Sequence, residues 1–303
     1  METDGARANR ITSLPLAGLG RPSGPVRGPV AAAREIWSYR DLLFRLIRRE
    51  IGARYKGSGL GVVWALVRPL VQLAIYYVAV GKFLNAAQSV PDFAIFIFSG
   101  LTIWGLFNEI LSSATGSVVG NAGLVKKVYL PREIFPLAAM GGAFFNFLVQ
   151  LGILFAATIL LGVAPWHVEI LYLPLSIAVI AVFATAIAFF TSALNVYLRD
   201  VSHLVEVAML VLFWASPILY AAAFVHSVLG GGWLESVYLA NPITLGVLGM
   251  QKAMWTAGSL DTSQFWPDDL ALRMFVALGV SLVLLWIGQR VFARLQGSFA
   301  QEL

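Results

Sequence analysis

Cysteine is absent from this chain of 303 residues, and charged residues make up only 12% of it. The absence of cysteine excludes disulfide frameworks, thiolate metal sites and cysteine nucleophiles. A soluble domain usually carries roughly 25% charged residues, so the shortage of charge argues against a soluble enzyme and against a disordered protein. Hydrophobic residues instead make up 59% of the chain, which indicates an integral membrane protein.

Six stretches are apolar enough for a helix to cross a hydrocarbon core of about 30 Å, which needs about 20 residues. We place these spans at 60–81, 93–115, 134–161, 170–196, 204–225 and 270–292. A seventh apolar stretch, 233–255, is interrupted at Asn241-Pro242 and contains Glu235 and Lys252. We interpret it as one or two re-entrant or interfacial half-helices between the fifth and sixth spans. The predicted fold is therefore an all-α integral membrane protein with six transmembrane helices.

Basic residues concentrate on one side of these spans. Of the 21 Lys and Arg residues, 17 fall in residues 1–56, the second-to-third connection, the fourth-to-fifth turn and the tail after the sixth span. Positive charge collects on the cytoplasmic side of membrane proteins, so we predict that both termini are cytoplasmic. The net charge of +5 then reflects topology, and no nucleic-acid partner is expected. The chain is thus predicted to cross its membrane several times.

The region before the first span divides into two parts. Residues 1–33 are rich in Gly, Pro, Ala and Arg without the apolar core of a signal peptide, and we predict a disordered cytoplasmic leader. Residues 34–56 form a predicted amphipathic helix with a basic face, suited to the surface of an anionic leaflet. This helix either only anchors the first span or also receives an anionic substrate or a partner. Residues 57–303 form the predicted six-helix membrane domain.

No pattern of catalytic residues or cofactor ligands is evident. The sequence contains no Walker A, GxGxxG or HExxH motif, and the three histidines are scattered over three connections. We therefore expect no catalytic residue, no metal site and no cofactor on this chain. The charged residues in or near the spans are Arg68, Glu109, Glu206 and Arg273. Snorkelling explains most of them because they lie close to span ends, and Arg68, which precedes Pro69, is the exception.

Five short patterns occur in order within residues 36–300. They are Arg54–Gly61 followed by Trp64 and Pro69-Leu70; Asn121–Glu133; Leu194–Val196 with Arg199–Val201; Ser216–Ile218 with Tyr220; and Asn241-Pro242. Together with the predicted topology, these patterns resemble the permease subunits of type-2 ABC exporters that move lipid-linked polysaccharides.

The resemblance implies a location in the bacterial cytoplasmic membrane, together with two permease copies and two copies of a separate cytoplasmic ATPase, which would bind the ATP and Mg²⁺. It also implies that the second-to-third connection is a coupling loop in a groove of that ATPase. The residues concerned are Lys126, Lys127, Tyr129, Leu130, Pro131, Arg132 and Glu133. The alternative is a basic cytoplasmic loop without a partner. Arg199 and Asp200 are either a second contact or a pair that stabilises a turn.

Translocation of a sugar chain requires hydrogen-bonding groups and flat apolar faces inside the membrane. The aromatic residues that lie inside spans are our candidates for the channel, with core packing as the alternative: Tyr76, Tyr77, Phe144, Phe145 and Phe147. The half-helices resemble an outer gate, broken at Asn241-Pro242. The pyrophosphate of a lipid carrier would meet Arg45, Arg48 or Arg49 at the inner surface.

The function expected from this resemblance is ATP-driven export of a lipid-linked polysaccharide through a channel formed by two copies of the chain. Three alternatives stay open at this point. The cargo could be a drug or a glycolipid, the chain could be a membrane-embedded glycosyltransferase or acyltransferase, or it could form a passive channel. The glycan could be an O-antigen, a capsule, a teichoic acid or a galactan.

Overall fold

The computed structural model describes residues 29–55, 63–128, 130–261 and 264–303, and the regular structure in these residues is helical. The helices are α1 Pro29–Ser38, α2 Arg40–Tyr55, α3 Trp64–Tyr76, α4 Ala86–Ser89, α5 Phe93–Thr115, α6 Ser117–Gly120, α7 Ala122–Lys127, α8 Ile134–Leu160, α9 Tyr172–Tyr197, α10 Val201–Trp214, α11 Ala222–Leu229, α12 Trp233–Ala240, α13 Pro242–Met254, α14 Thr256–Ser259, α15 Leu270–Leu295 and α16 Phe299–Glu302. A π-helical turn, Tyr77–Phe83, continues α3, and 3₁₀ turns, Val168–Leu171 and Gln296–Ser298, precede α9 and follow α15. The predicted all-α class is confirmed.

The region before the first span begins its helical structure earlier than predicted. Helix α1 starts at Pro29, inside the predicted leader, because proline suits the first position of a helix and alanines 31–33 favour helix. The predicted amphipathic helix is also two helices, since the chain turns at Tyr39, whose amide donates to the carbonyl of Ile36 at 3.0 Å. Residues 1–28 of the predicted leader, and residues 56–62 at the start of the membrane domain, lie outside the described residues.

Five helical segments are long and apolar enough to cross a membrane. They are Trp64–Phe83, Phe93–Thr115, Ile134–Leu160, Val168–Tyr197 and Leu270–Glu302. Each coincides with one of the predicted spans, because a long run of apolar residues is a strong signal for a transmembrane helix. The start of the first predicted span, at residue 60, lies outside the described residues.

The predicted fifth span, 204–225, is not one continuous helix. Helix α10 has 14 residues, which gives a length of about 21 Å and is too short for the hydrocarbon core. Helix α10 ends at Trp214. It cannot continue because Pro217 has no amide hydrogen to donate and its ring would clash with a carbonyl of the preceding turn. The non-helical residues are nevertheless inside the protein: Ile218 is buried, and Gln251 Nε2 donates to the carbonyl of Pro217 at 2.8 Å.

The apolar stretch 233–255 forms two helices that meet at the predicted break. Asn241 caps α13, since its Oδ1 accepts a hydrogen bond from the amide of Ile243 at 3.0 Å, and Pro242 occupies the first helical turn. The break at Asn241-Pro242 is therefore confirmed. Helix α13 is buried along nearly its whole length between α5, α9 and α15. Its re-entrant placement stays a prediction.

A cluster of apolar side chains closes the end of the bundle that carries the coupling loop. We call it the basal cluster, and its buried members are Leu46, Val118, Val125, Ile134, Phe135, Ala138, Phe189, Ala193, Val196, Phe292 and Phe299. These residues come from α2, the connection between α5 and α8, the first turns of α8, the last turns of α9 and α15, and α16. A larger core, centred on α5, fills the middle of the bundle.

Candidate functional site

The predicted coupling loop presents a basic outer surface. Helix α7 ends at Lys127, and the amide of Val128 donates to the carbonyl of Leu124 at 3.0 Å before the backbone becomes extended. Lys126 and Lys127 are exposed, and Val128 is 49% exposed. Tyr129, a predicted anchor for the ATPase, lies outside the described residues. The exposed part of the loop is therefore a short helix end with two neighbouring ammonium groups.

The other side of the loop faces the protein itself. Leu130 is half-buried and packs against the basal cluster, and its role as an anchor in a partner stays a prediction. Glu133 is buried and accepts a hydrogen bond from Gln296 Nε2 at 3.2 Å, while the guanidinium of Arg132 lies 5.7 Å from the ring centre of Phe299. Burial disfavours the charged carboxylate and raises the pKa of Glu133 above its ordinary value. Pro131 is half-buried between these two sides.

Helix α2 is docked on the membrane bundle by an ion pair that the sequence reasoning missed. Arg54 pairs with Glu109 of α5, whose carboxylate also accepts a hydrogen bond from Asn146 Nδ2 at 2.5 Å. Arg54 Nη2 donates to Ser113 Oγ at 3.0 Å as well. Glu109 is thus not a snorkelling side chain. The available signal was that Arg54 interrupts the apolar face of its helix.

A glycine allows α2 and α8 to approach closely. A Cβ atom on Gly141 would lie 2.6 Å from the side chain of Ile47, a distance that real Cβ atoms do not show. At this point of contact, Ile47 occupies the space that a side chain at position 141 of α8 would need.

The three predicted head-group arginines divide into two kinds. Arg45 and Arg48 are exposed, and neither has an ion pair within the described part of the chain. Arg49 is exposed but engaged: its Nη2 lies 2.5 Å from Asn121 Oδ1 and 3.4 Å from Glu50 Oε1. Asn121 begins α7, so Arg49 connects the amphipathic helix to the coupling loop.

Arg199 and Asp200 form an exposed turn between α9 and α10. Among the described residues they make no ion pair with each other, so the alternative that they stabilise the turn as a pair is not supported. The turn is held by Asn195 instead. Its Oδ1 accepts from the amide of Ser202 at 3.2 Å, and its Nδ2 donates to the carbonyl of Thr115 at 3.1 Å. The two charged side chains remain accessible to a partner.

The five predicted channel aromatics lie in different surroundings. Phe147 is 1% exposed inside the central core, which corrects its prediction as a channel residue. Phe144 contacts Phe147 at a ring-centre distance of 5.7 Å but is half-buried, as is Phe145. Tyr76 stacks on Phe213 at 5.9 Å, and Tyr77 contacts Phe93 at 6.3 Å.

A groove beside Tyr76 runs along the first membrane helix. Trp64, Val67, Arg68, Val71, Gln72, Ile75 and Tyr76 line it. The helix that carries these residues is largely exposed in the isolated chain. In the residues that the structure describes, no group of three or more His, Asp and Glu side chains could hold a metal ion.

Comparison with known proteins identifies the family. The sequence pattern of the ABC-2 type transporter family matches residues 41–255. The chain belongs to the ABC-2 type transporter family. It is a multi-pass protein of the bacterial inner membrane, and its family consists of transporter permeases that work with an ATP-binding subunit. The range that matches includes α2, the coupling loop and the break at Asn241-Pro242.

Curated relatives of this ABC-2 permease align over nearly its full length. The O-antigen export system permease protein RfbA of Myxococcus xanthus is 27% identical over 275 residues, which cover 90% of this chain and 100% of the relative. A protein of the same name from Klebsiella pneumoniae is 25% identical over 263 residues, covering 87% of this chain and 95% of the relative.

Proposed function

We propose that this ABC-2 permease is the membrane subunit of an ATP-driven exporter of a lipid-linked O-antigen polysaccharide. The observation that carries the proposal is the alignment, over 90% of this chain, with a protein named as an O-antigen export permease. Two copies of the chain form the channel, and two ATP-binding cassette subunits bind and hydrolyse ATP with Mg²⁺. No cofactor is bound by the permease itself.

The proposed topology has six crossings, with both termini in the cytoplasm. Basic residues favour this orientation, since 17 of the 21 Lys and Arg residues lie before the first span, in the second-to-third connection, in the fourth-to-fifth turn or after the sixth span. The five long helices supply five crossings, and α10 with α11 supplies the sixth as a discontinuous span. Its irregular backbone is compatible with the membrane because it is buried and Gln251 satisfies the carbonyl of Pro217.

The coupling loop is the proposed contact with the ATP-binding subunit. Lys126 and Lys127 are exposed at the end of α7, whereas Leu130 and Glu133 face inward and support the loop. The partner then recognises a positively charged helix end. Arg199 and Asp200 form the second contact, because both are exposed at the same end of the bundle.

The polysaccharide passes along aromatic and polar side chains near the first membrane helix. Tyr76 belongs to the groove with Arg68 and Gln72, so an aromatic face and two polar groups lie together at that surface. Tyr77, Phe144 and Phe145 are half-buried and complete the proposed channel wall. A second copy of the chain covers this surface and closes the channel. Asn241 and Pro242 form the hinge of the outer gate.

The anionic head of the lipid carrier binds at the inner surface of the amphipathic helix. Arg45 and Arg48 have free guanidinium groups in the described part of the chain, and a guanidinium can bind a phosphate with two parallel hydrogen bonds. Arg49 contributes charge beside them while it remains bound to Asn121.

Charge reversal of the coupling loop tests this proposal. We expect the double variant Lys126→Glu/Lys127→Glu to insert in the membrane but to lose co-purification of the ATP-binding subunit, because two attractive charges become repulsive. Lys82→Glu is the control, since it reverses one exposed charge at the opposite end of the first span. Retention of the ATP-binding subunit by the double variant would contradict the proposed docking.

A further inference from the structure

Residues 296–303 turn back under the coupling loop after the last long helix. Helix α15 ends at Leu295, a 3₁₀ turn follows, and α16 brings Phe299 into the basal cluster. The amide of Leu303 donates to the carbonyl of Phe299 at 3.1 Å, which closes the last turn. We call residues 296–303 the hook. It lies beyond the range 41–255 that matches the family.

Phe299 anchors the hook. The side chain has 0% exposure, and its ring lies 5.4 Å from Phe292 and 6.1 Å from Tyr197 between ring centres. The hydroxyl of Tyr197 donates to the carbonyl of Leu295 at 2.8 Å, which holds the start of the hook against the end of α9. Burying a phenylalanine in this way stabilises the packed position, because its apolar surface is removed from water.

Two contacts connect the hook to adjacent residues of the coupling loop. The guanidinium of Arg132 lies over the ring of Phe299, and Gln296 Nε2 donates to the buried carboxyl of Glu133. Leu130 reaches the same basal cluster from the loop. The hook therefore contacts the inner side of the loop that carries Lys126 and Lys127 on its outer side.

The loop has little structure of its own to fix its shape. After Val128, backbone hydrogen bonds within it are limited, among the described residues, to the amides of Ile134 and Phe135 donating to Pro131 and Arg132 at 3.3 and 3.2 Å. Pro131 also has no amide hydrogen to give. A segment with so few internal bonds keeps one conformation only if its surroundings hold it.

We propose that the hook is a positioning element that holds the coupling loop in the shape recognised by the ATP-binding subunit. Through α15 it also joins the loop to the membrane bundle, so that movement of the loop reaches a transmembrane helix directly. Phe299 and Gln296 are the positioning residues, and neither contacts the ATP-binding subunit. This inference rests on the proposed function of the loop.

Spin labelling measures loop order without the partner. Because the chain has no cysteine, Lys126→Cys provides a single labelled site on the loop. We expect Phe299→Ala and Gln296→Ala to increase label mobility at residue 126. Gln301→Ala, an exposed neighbour on α16, is the matched control and leaves mobility unchanged. A label at Ser227→Cys, at the opposite end of the bundle, reports whether a variant disturbs the whole fold.

A second pair of measurements separates positioning from general stability. In the full transporter without labels, we expect Gln296→Ala to weaken binding of the ATP-binding subunit about fivefold, the factor expected when one hydrogen bond is lost. Phe299→Leu stays apolar but removes the ring beneath Arg132, and it should lose affinity for the ATP-binding subunit even at temperatures well below its own melting temperature, where the fold is intact. Unchanged mobility at residue 126 in both Phe299→Ala and Gln296→Ala overturns the inference.

Failure of the inference differs from failure of the proposed function. If the hook variants mobilise the label while Lys126→Glu/Lys127→Glu still binds the ATP-binding subunit, the hook positions the loop but the loop is not the docking site. If the charge reversal abolishes binding while the label is insensitive to the hook variants, docking stands and the hook has no positioning role.

Discussion

Single polar side chains in this permease are held by partners from distant elements. Asn195 joins the end of α9 to α5 and to the start of α10, and Arg54 joins α2 to α5. Glu235 joins α12 to α11. Asn195 and Glu235 are buried and have lost their water, so removal of a hydrogen-bond partner leaves the other group unsatisfied at a cost of about 1–3 kcal/mol. These residues are therefore the places where a single substitution affects the packing of several helices.

Glu235 makes stability depend on pH. His226 Nδ1 lies 2.9 Å from Oε1 of Glu235, and the amide of Gly231 donates to Oε2 at 2.8 Å. The turn that permits this contact has positive φ at Gly230 and Gly231. The hydrogen bond from His226 is the largest of the effects that hold the pKa of the Glu235 carboxyl below its ordinary value, and Arg273 adds to it.

A carboxyl whose pKa is lowered by folding stabilises the protein above its unfolded pKa, and this contribution disappears as the pH falls through the folded pKa. We expect Glu235→Gln to melt at a lower temperature than the parent protein at about pH 7, with the difference shrinking as the pH falls below the ordinary pKa of a glutamate carboxyl, about 4.3. Thermal unfolding in detergent at several pH values measures this difference. Comparing the two proteins cancels the titration of the other carboxyls, and a difference that is constant with pH would contradict the assignment.

At the scale of elements, the most extensive helix contact joins α9 to α15. A Cβ atom on Gly288 would lie 2.5 Å from the carbonyl oxygen of Ala186, and backbone cannot move aside as a side chain can. We expect Gly288→Ala to destabilise the protein by roughly 1–3 kcal/mol, as overpacking does. Gly279→Ala is the control on the same helix, where nothing lies within 4 Å of the added atom. Thermal unfolding of both variants is the measurement, and equal melting temperatures would show that the contact is not tight.

The elements that hydropathy could predict are those with long apolar runs. The helix Phe93–Thr115 has the predicted bounds, and the break at Asn241-Pro242 follows from the chemistry of a cap and a proline. Helix α10 was predicted too long because apolar residues continue past Pro217 in sequence, although the helix does not. Composition reports which residues avoid water, and it does not report whether a buried backbone is helical.

In the coupling loop, only the residues on the exposed outer side could be predicted from the sequence. Exposed lysines in a motif can be recognised in a sequence, as Lys126 and Lys127 were. The inner side depends on Gln296 and Phe299, more than 160 residues away from the loop, and no local pattern connects them. Phe147 was misassigned for a related reason: inside a span, an aromatic residue of the core and one of a channel wall have the same local sequence.

At the scale of the whole molecule, the basal cluster limits the number of membrane crossings. It brings Leu46 from α2 together with Phe299 from α16, so the two ends of the described chain meet at one end of the bundle. At the opposite end, Trp255 Nε1 donates to the carbonyl of Pro91 at 2.7 Å, and Thr256 Oγ1 to that of Val163 at 3.1 Å. An even number of crossings satisfies both observations, which favours six over the five that the long helices alone would supply.

Labelling of single cysteines tests this topology, since the parent chain has no thiol. We expect Gln88→Cys and Ser227→Cys to react with a membrane-impermeant maleimide in intact spheroplasts, and Lys127→Cys and Gln301→Cys to react only after permeabilisation. Gln88 and Lys127 lie in connections that precede α10, so Ser227 and Gln301, which both follow α10, decide whether α10 and α11 cross the membrane. Labelling of Ser227→Cys from the same side as Lys127→Cys would contradict the sixth crossing. Reversal of all four results would instead leave six crossings in place and show that the orientation inferred from basic charge is wrong.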